Sequence, residues 1–305
     1  MQNNRSIIIS AIIWLTLLCI PACVDPTSPV SKLKAEAITG DAPAQFKLGQ
    51  MYQEGKHVTR DYAEAVKWYR EAAKQDHPGA QSRLGFMYTN GWGVTKDETE
   101  AVRWWRKAAE QNDVLAQSML GLLYLQGSVV TKDMTEAFKW FLKAAEQNNV
   151  VAQYQLGLIY FKVGNTTEAL RWLHKGAEQN HTESQTELAR IYMYGESHVA
   201  VDMNEGLKWM RRAAELNDVI GQWKLGDEYA SGDHIAKDDG EAVKWYRKAA
   251  EQNFPFAQFS LAAMYAAGRG IAKNDVEAIK WYRKAAEHEK NGYFTGAVQY
   301  KLGEL

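Results

Sequence analysis

Seven tryptophans, Trp68, Trp104, Trp140, Trp172, Trp209, Trp245 and Trp281, follow one another at spacings of 36, 36, 32, 37, 36 and 36 residues. A period of that length marks a stacked repeat, in which each unit is one supersecondary element that cannot bury its apolar face alone. Each tryptophan sits in one frame: A-Q-x-x-L-G-x-x-Y, a Gly, D/N-x-x-E-A, then W-Y-x-K-A-A-E-Q-N. Units begin near Ala44, Ala80, Ala116, Ala152, Ser184, Gly221 and Ala257, with a partial cap from Val298. The repeat accounts for most of the eleven Trp and fifteen Tyr of this 305-residue chain.

The frame predicts two helices per unit. Ala116, Leu120 and Tyr124 fall at i, i+4 and i+8, one apolar face, and Gly121 beside Leu120 permits close approach of a neighbour. The first helix stops at Gly55, Gly91, Gly127, Gly195, Gly232 and Gly268, places that suit positive φ. Asp61-x-x-Glu64 and its six counterparts read as capping boxes, in which the Glu reaches back to the cap N–H. Seven copies at a helix start make capping the reading of these acids, ahead of catalysis or metal binding. In the second helix Ala242, Trp245, Tyr246, Ala249 and Ala250 form the buried stripe, and Lys244, Arg247 and Lys248 read as a solvated face. Asn112, Asn148, Asn180, Asn217 and Asn253 close it as left-handed caps.

AQSRLGFMYTNGWGVTKDETEAVRWWRKAAEQN (80–112) resembles the Sel1-like repeat, a relative of tetratricopeptide repeats, almost position by position. The resemblance covers about 44–305 and implies an all-α fold, a right-handed α-solenoid of about seven helix-turn-helix repeats serving as a protein-interaction scaffold. The lead-in 31–43 aligns with a second helix and reads as the N-terminal cap of the array. Residues 161–168, FKVGNTTE, lack four residues of the usual connection, and 287–297 insert about five, KNGYF among them.

The start of the chain reads as a targeting segment. Arg5 precedes the apolar run 7–20, shorter than the ~20 residues a spanning helix needs, and Ala22 offers a cleavage site. Residues 1–22 are thus a signal peptide and 23–43 an anchor, linker and cap helix. IPAC (20–23) resembles a bacterial lipobox, which makes Cys23 the lipidated residue; simple cleavage leaving a free thiol is the alternative. The only other cysteine, Cys19, lies inside the signal, so no disulfide framework is expected. Val24, rather than Asp, after the cysteine points to the outer membrane of a Gram-negative envelope, with the protein facing the periplasm.

A formal charge of −1, from 36 basic and 37 acidic residues, offers no basic surplus for nucleic acid. No nucleotide loop, hydrolase elbow or Cys/His metal spacing occurs, and the seven His (57, 77, 174, 181, 198, 234 and 288) are scattered. The expectation is no enzyme, no catalytic residues, no metal, no cofactor and no small-molecule substrate. Ser31-x-x-Lys34 formally matches a serine β-lactamase motif and lacks its companions.

Partner choice belongs where units differ. Positions three, seven and ten of the first helix gather Phe86, Leu122, Leu125, Tyr154, Leu158 and Phe161 in units two to four. These read either as an apolar groove that docks a partner or as packing against the next unit. Trp92 and Trp223 stand at non-consensus places and are further candidate anchors. The family resemblance adds a narrower expectation, an immunity lipoprotein that neutralises a type VI secretion phospholipase.

Overall fold

The computed structural model describes residues 29–196 and 199–288, together with residues 296, 298, 301 and 303. The leader with Cys23, His198 and the inserted KNGYF stretch lie outside them. The described residues form fifteen α-helices and no strand, an all-α solenoid of helix pairs. After α1 (Pro29–Ile38) come α2 (Ala42–Glu54) and α3 (Tyr62–Lys74), then α4 (Pro78–Asn90) and α5 (Glu98–Glu110), then α6 (Val114–Gln126) and α7 (Met134–Glu146). Next are α8 (Val150–Lys162) and α9 (Thr166–Glu178), α10 (Thr182–Tyr194) and α11 (Met203–Glu215), α12 (Val219–Ser231) and α13 (Asp239–Glu251), and α14 (Pro255–Ala267) and α15 (Asp275–His288). The chain divides into two compact units, one ending at Lys132 and one starting at Asp133.

In the first unit α1 packs on α2, α3 on α4 and α5 on α6, with α2/α3 and α4/α5 as antiparallel hairpins. The second unit repeats the scheme through the hairpins α8/α9, α10/α11, α12/α13 and α14/α15. α1 sets Ala37 into a cluster with Ala44 and Leu48, against which Leu33 packs. Val298 is buried with Tyr282 and Leu261 at the other end.

Within a hairpin the two helices meet where an aromatic ring lies on a glycine. A Cβ on Gly49 would fall 2.6 Å from the Tyr69 ring, one on Gly226 2.7 Å from Tyr246, and one on Gly85 on the indole of Trp105. These second aromatics are buried, whereas Trp68, Trp104 and Trp245 are only half-buried. Val243 is buried as well, on the stripe but absent from the frame-based reading.

The first helices begin two residues before the frame's Ala. Asp41, Asp113, Asn149 and Asp218 accept from the N–H three residues on at 2.6–2.9 Å, and His77 and His181 do so through Nδ1. The left-handed caps stand as expected: the six first-helix glycines have φ of 65–76° and the five asparagines 63–69°. In the short unit, Val163 caps α8 and Gly164 takes the positive φ instead.

The capping box of the second helix is half made. Asp61, Asp133 and Asp238 accept from two first-turn N–H groups, as predicted. The Glu does not reach back. It pairs with the base three residues on, from Glu64–Lys67 to Glu277–Lys280, at 2.5–3.3 Å. The cap's own N–H is taken by a tyrosine carbonyl of the preceding helix: Asp61 donates to Tyr52, Asp97 to Tyr88 and Asp238 to Tyr229, at 2.9–3.0 Å.

The basic residues of the second helix are not a plain solvated face. Arg70, Arg106 and Arg247 donate to the hydroxyls of Tyr88, Tyr124 and Tyr265 in the following helix at 2.7–2.9 Å, and His174 takes that place beside Tyr192. Lys248 Nζ lies 4.0 Å from the Trp245 ring, and Lys107, Lys143, Lys175 and Lys284 cover their own tryptophans in the same way.

The invariant glutamine joins helices. Nε2 of Gln45, Gln117, Gln153, Gln185, Gln222 and Gln258 donates to the alanine carbonyl eight residues earlier, in the preceding second helix, at 2.9–3.3 Å. Oε1 of Gln45, Gln81, Gln153 and Gln222 accepts from Gln75, Gln111, Gln179 and Gln252 at the end of the repeat's own second helix, at 2.7–2.9 Å.

Two expected outcomes follow from this packing. Gly85→Ala should destabilise by about 1–3 kcal/mol in urea titrations, because overpacking against Trp105 outweighs the helix preference for Ala; an unchanged or raised midpoint contradicts the close approach. Burial holds the imidazoles of His77, His174 and His181 below the ordinary histidine value. Their stabilisation is therefore complete above the unfolded pKa of ~6.5 and is lost as pH falls below it. Thermal melts should show Tm falling from about pH 7 to about pH 5, with a shallower fall in His77→Asp, and an equal slope in the two proteins contradicts a His77 imidazole held neutral by burial.

Candidate functional site

The eight predicted anchors fall in both units. Phe86, Leu122 and Leu125 lie in the first, all half-buried, and Phe86 sits edge-on to Trp105 of its own hairpin at 5.4 Å. Trp92, also in the first unit, is 40% exposed and stacked on Tyr62 at 5.4 Å. In the second unit Tyr154, Leu158 and Phe161 are half-buried. Tyr154 lies 5.3 Å from His181, and the Arg190 guanidinium sits 5.8 Å over Phe161. Trp223 is gathered with Phe254 and Phe256, with ring centroids 5.1–5.6 Å apart.

A recurring set of exposed large apolar side chains stands elsewhere. Leu115, Val151, Ile220 and Phe256 are each the second residue of a first helix, turned to solvent. Reading each unit from its Ala leaves these positions in the connection, which is why the frame passes over them. A search for the N-cap before each Ala would have found them.

Groups that resemble catalytic constellations are structural. His181 Nδ1 lies 2.9 Å from Ser184 Oγ, and its Nε2 lies 3.3 Å from Glu183. Ser184, however, is fully buried in the frame's Ala place, and a Cβ on Gly176 opposite would fall 2.6 Å from its hydroxyl. The serine fits because Gly176 replaces alanine, and its side chain is closed off from solvent. Asp227 accepts from the Tyr246 hydroxyl at 2.8 Å, and burial raises its pKa. Lys34 of the Ser31-x-x-Lys34 pair points its ammonium over the Tyr52 ring at 5.8 Å. Among the described residues no group of three His, Cys, Asp or Glu is placed to hold a metal, and no helix is long and apolar enough to cross a membrane. A cleft of about 510 Å³ opens between α1 and α2, lined by Val30, Leu33 and Met51 with charged side chains of both signs around them.

The Sel1 repeat family matches seven consecutive segments, 42–77, 78–113, 114–149, 150–181, 182–218, 219–254 and 255–289. The solved structure of c5321, a protective antigen of uropathogenic Escherichia coli with an SLR fold, is 37% identical with a TM-score of 0.73. That match covers 89% of this chain, and the chain spans only 58% of the length of the antigen. A Sel1 repeat protein from Oxalobacter formigenes is 31% identical with a TM-score of 0.75, over 90% of this chain and 80% of that one. Immunity protein PA5088 from Pseudomonas aeruginosa is 20% identical with a TM-score of 0.49, over 71% and 83% of the two chains, a likeness too distant to carry a functional argument. No curated protein matches the sequence. The segments matched run from α2 through α15, and the chain belongs to the Sel1 repeat family.

Proposed function

We propose that the chain is a non-enzymatic protein–protein interaction scaffold of the bacterial cell envelope, exported by its leader and held on the periplasmic side by lipid on Cys23. The observation that carries this reading is how the repeated side chains are used. Glutamines, capping acids, arginines and lysines are tied into the array by named bonds, which leaves the variable apolar positions for recognition. The Sel1 repeat fold suggests a scaffold for protein partners. The relative from uropathogenic Escherichia coli, a protective antigen, is in keeping with an envelope location. The partner meets the apolar residues of the first helices, Leu122 and Leu158 among them. Its narrower form is a toxic phospholipase neutralised one-to-one, for which deletion of the gene would leave cells sensitive to that toxin.

Two experiments test the reading. Cys23→Ala should move the protein from the membrane to the soluble envelope fraction, and unchanged fractionation contradicts the anchor. Crosslinking in the native envelope followed by mass spectrometry should yield one dominant protein partner. Leu122→Glu with Leu158→Glu should cut that yield by about tenfold or more. A folded double variant that crosslinks as the parent does overturns these two residues as contacts.

A further inference from the structure

The frame is broken on one edge of the second unit, where polar groups with structural work are traded for apolar ones. Leu216 stands where Gln75, Gln111, Gln179 and Gln252 complete the glutamine pairs of their repeats. Gln185, fully buried, is left with no hydrogen-bond partner for Oε1. Phe254 stands where Asp, Asn or His caps other first helices, and α14 starts without a side-chain cap bond. An unpaired buried acceptor and a missing cap each weaken a fold. Phe254 packs on the core of its hairpins in exchange for the cap, whereas Leu216 leaves Gln185 unpaired; breaks of local rules are expected at functional surfaces.

The two places share an edge. Gln252 Nε2 donates to the Asn217 carbonyl at 3.3 Å, which sets the end of α11 beside the end of α13. Two residues beyond Gln252, Phe254 meets Trp223 and Phe256. Leu216 is 43%, Ile220 48% and Phe256 42% exposed. Acids stand at neighbouring positions along the chain. Glu215 and Glu251 are exposed last residues of α11 and α13, at the negative ends of those helices, and neither forms an ion pair among the described residues. Asp218 adds a third carboxylate as the cap of α12. Of the bases near them, Lys224 holds its ammonium 4.5 Å from the Trp223 ring, Lys248 4.0 Å from the Trp245 ring, and Arg212 donates to Asn180 Oδ1 at 3.3 Å, while exposed Arg211 stands one turn before Glu215.

We propose that this edge docks a cationic amphipathic segment of a protein partner, with an aromatic or leucine anchor on the Leu216–Ile220–Phe256 cluster and flanking lysines or arginines against Glu215, Asp218 and Glu251. The inference rests on the protein-binding reading above and adds the surface and the chemistry it selects. An anionic surface would meet like charge here.

The test is fluorescence anisotropy of the dye-labelled peptide LKKLLKLLKKLLKL, titrated with the whole mature chain, beside the same peptide with glutamate at every lysine. The lysine peptide should bind and the glutamate peptide should not. Ile220→Ser with Phe256→Ser should weaken binding by about tenfold or more, while Leu115→Ser, on the first unit, changes it less than about twofold. Should the double variant fail to fold, Glu215→Lys with Glu251→Lys is the second probe, expected to weaken binding at least about fivefold. Leu216→Gln should weaken binding while raising Tm by about 2 °C or more, because it returns a partner to Gln185. Equal binding of the two peptides, a folded double variant that binds as the parent does, or a Leu216→Gln protein unmoved in both readouts overturns the proposal. If native crosslinking still captures its partner undiminished from Ile220→Ser with Phe256→Ser, protein binding stands and this edge does not.

Discussion

The array depends on a buried glutamine. Its amide nitrogen takes a last-turn carbonyl of the preceding second helix, one of the acceptors a helix end leaves without an internal partner. Its oxygen takes the glutamine that ends its own repeat's second helix. One side chain therefore joins three helices and satisfies polar groups far from water, where leaving any of them unpaired is costly. The ring-on-glycine contact sets how closely a hairpin closes. The glutamine sets how one hairpin sits on the next.

Around that joint the other repeated polar residues are spent in pairs. A tyrosine accepts at its hydroxyl from the arginine of the preceding repeat and at its carbonyl from the capping residue that follows. Lysines shield tryptophan faces that the hairpin leaves half-buried. A residue that recurs in register is thus engaged, which is why the proposed recognition surface lies where the register is broken. The clearest breaks, Leu216 and Phe254, lie a few residues from exposed Ile220 and Phe256.

Much of this was legible in the sequence. Period and frame gave the hairpins, the glycine and asparagine stops and the aspartate caps, because each depends on local geometry. What the frame missed depends on partners distant in sequence. The capping glutamates looked able to reach back, yet Lys67 and its counterparts three residues on compete for them, and Tyr52 already takes the cap N–H. Arg247 read as solvated because its tyrosine lies 18 residues away in the next repeat. Of the candidate site, Phe86, Tyr154 and Phe161 are half-buried against other side chains, while Ile220 and Phe256 were hidden by starting each unit two residues late.

In the proposed division of labour, constant positions build the array and breaks in the frame select the partner. Gln153→Met tests it most directly when its urea midpoint and its crosslinking yield per folded molecule are measured together. The expected outcome is a loss of about 2 kcal/mol or more in stability, since Ala145 and Gln179 lose their partner, with an unchanged yield per folded molecule. An unshifted midpoint, or a yield that collapses in fully folded protein, would contradict it.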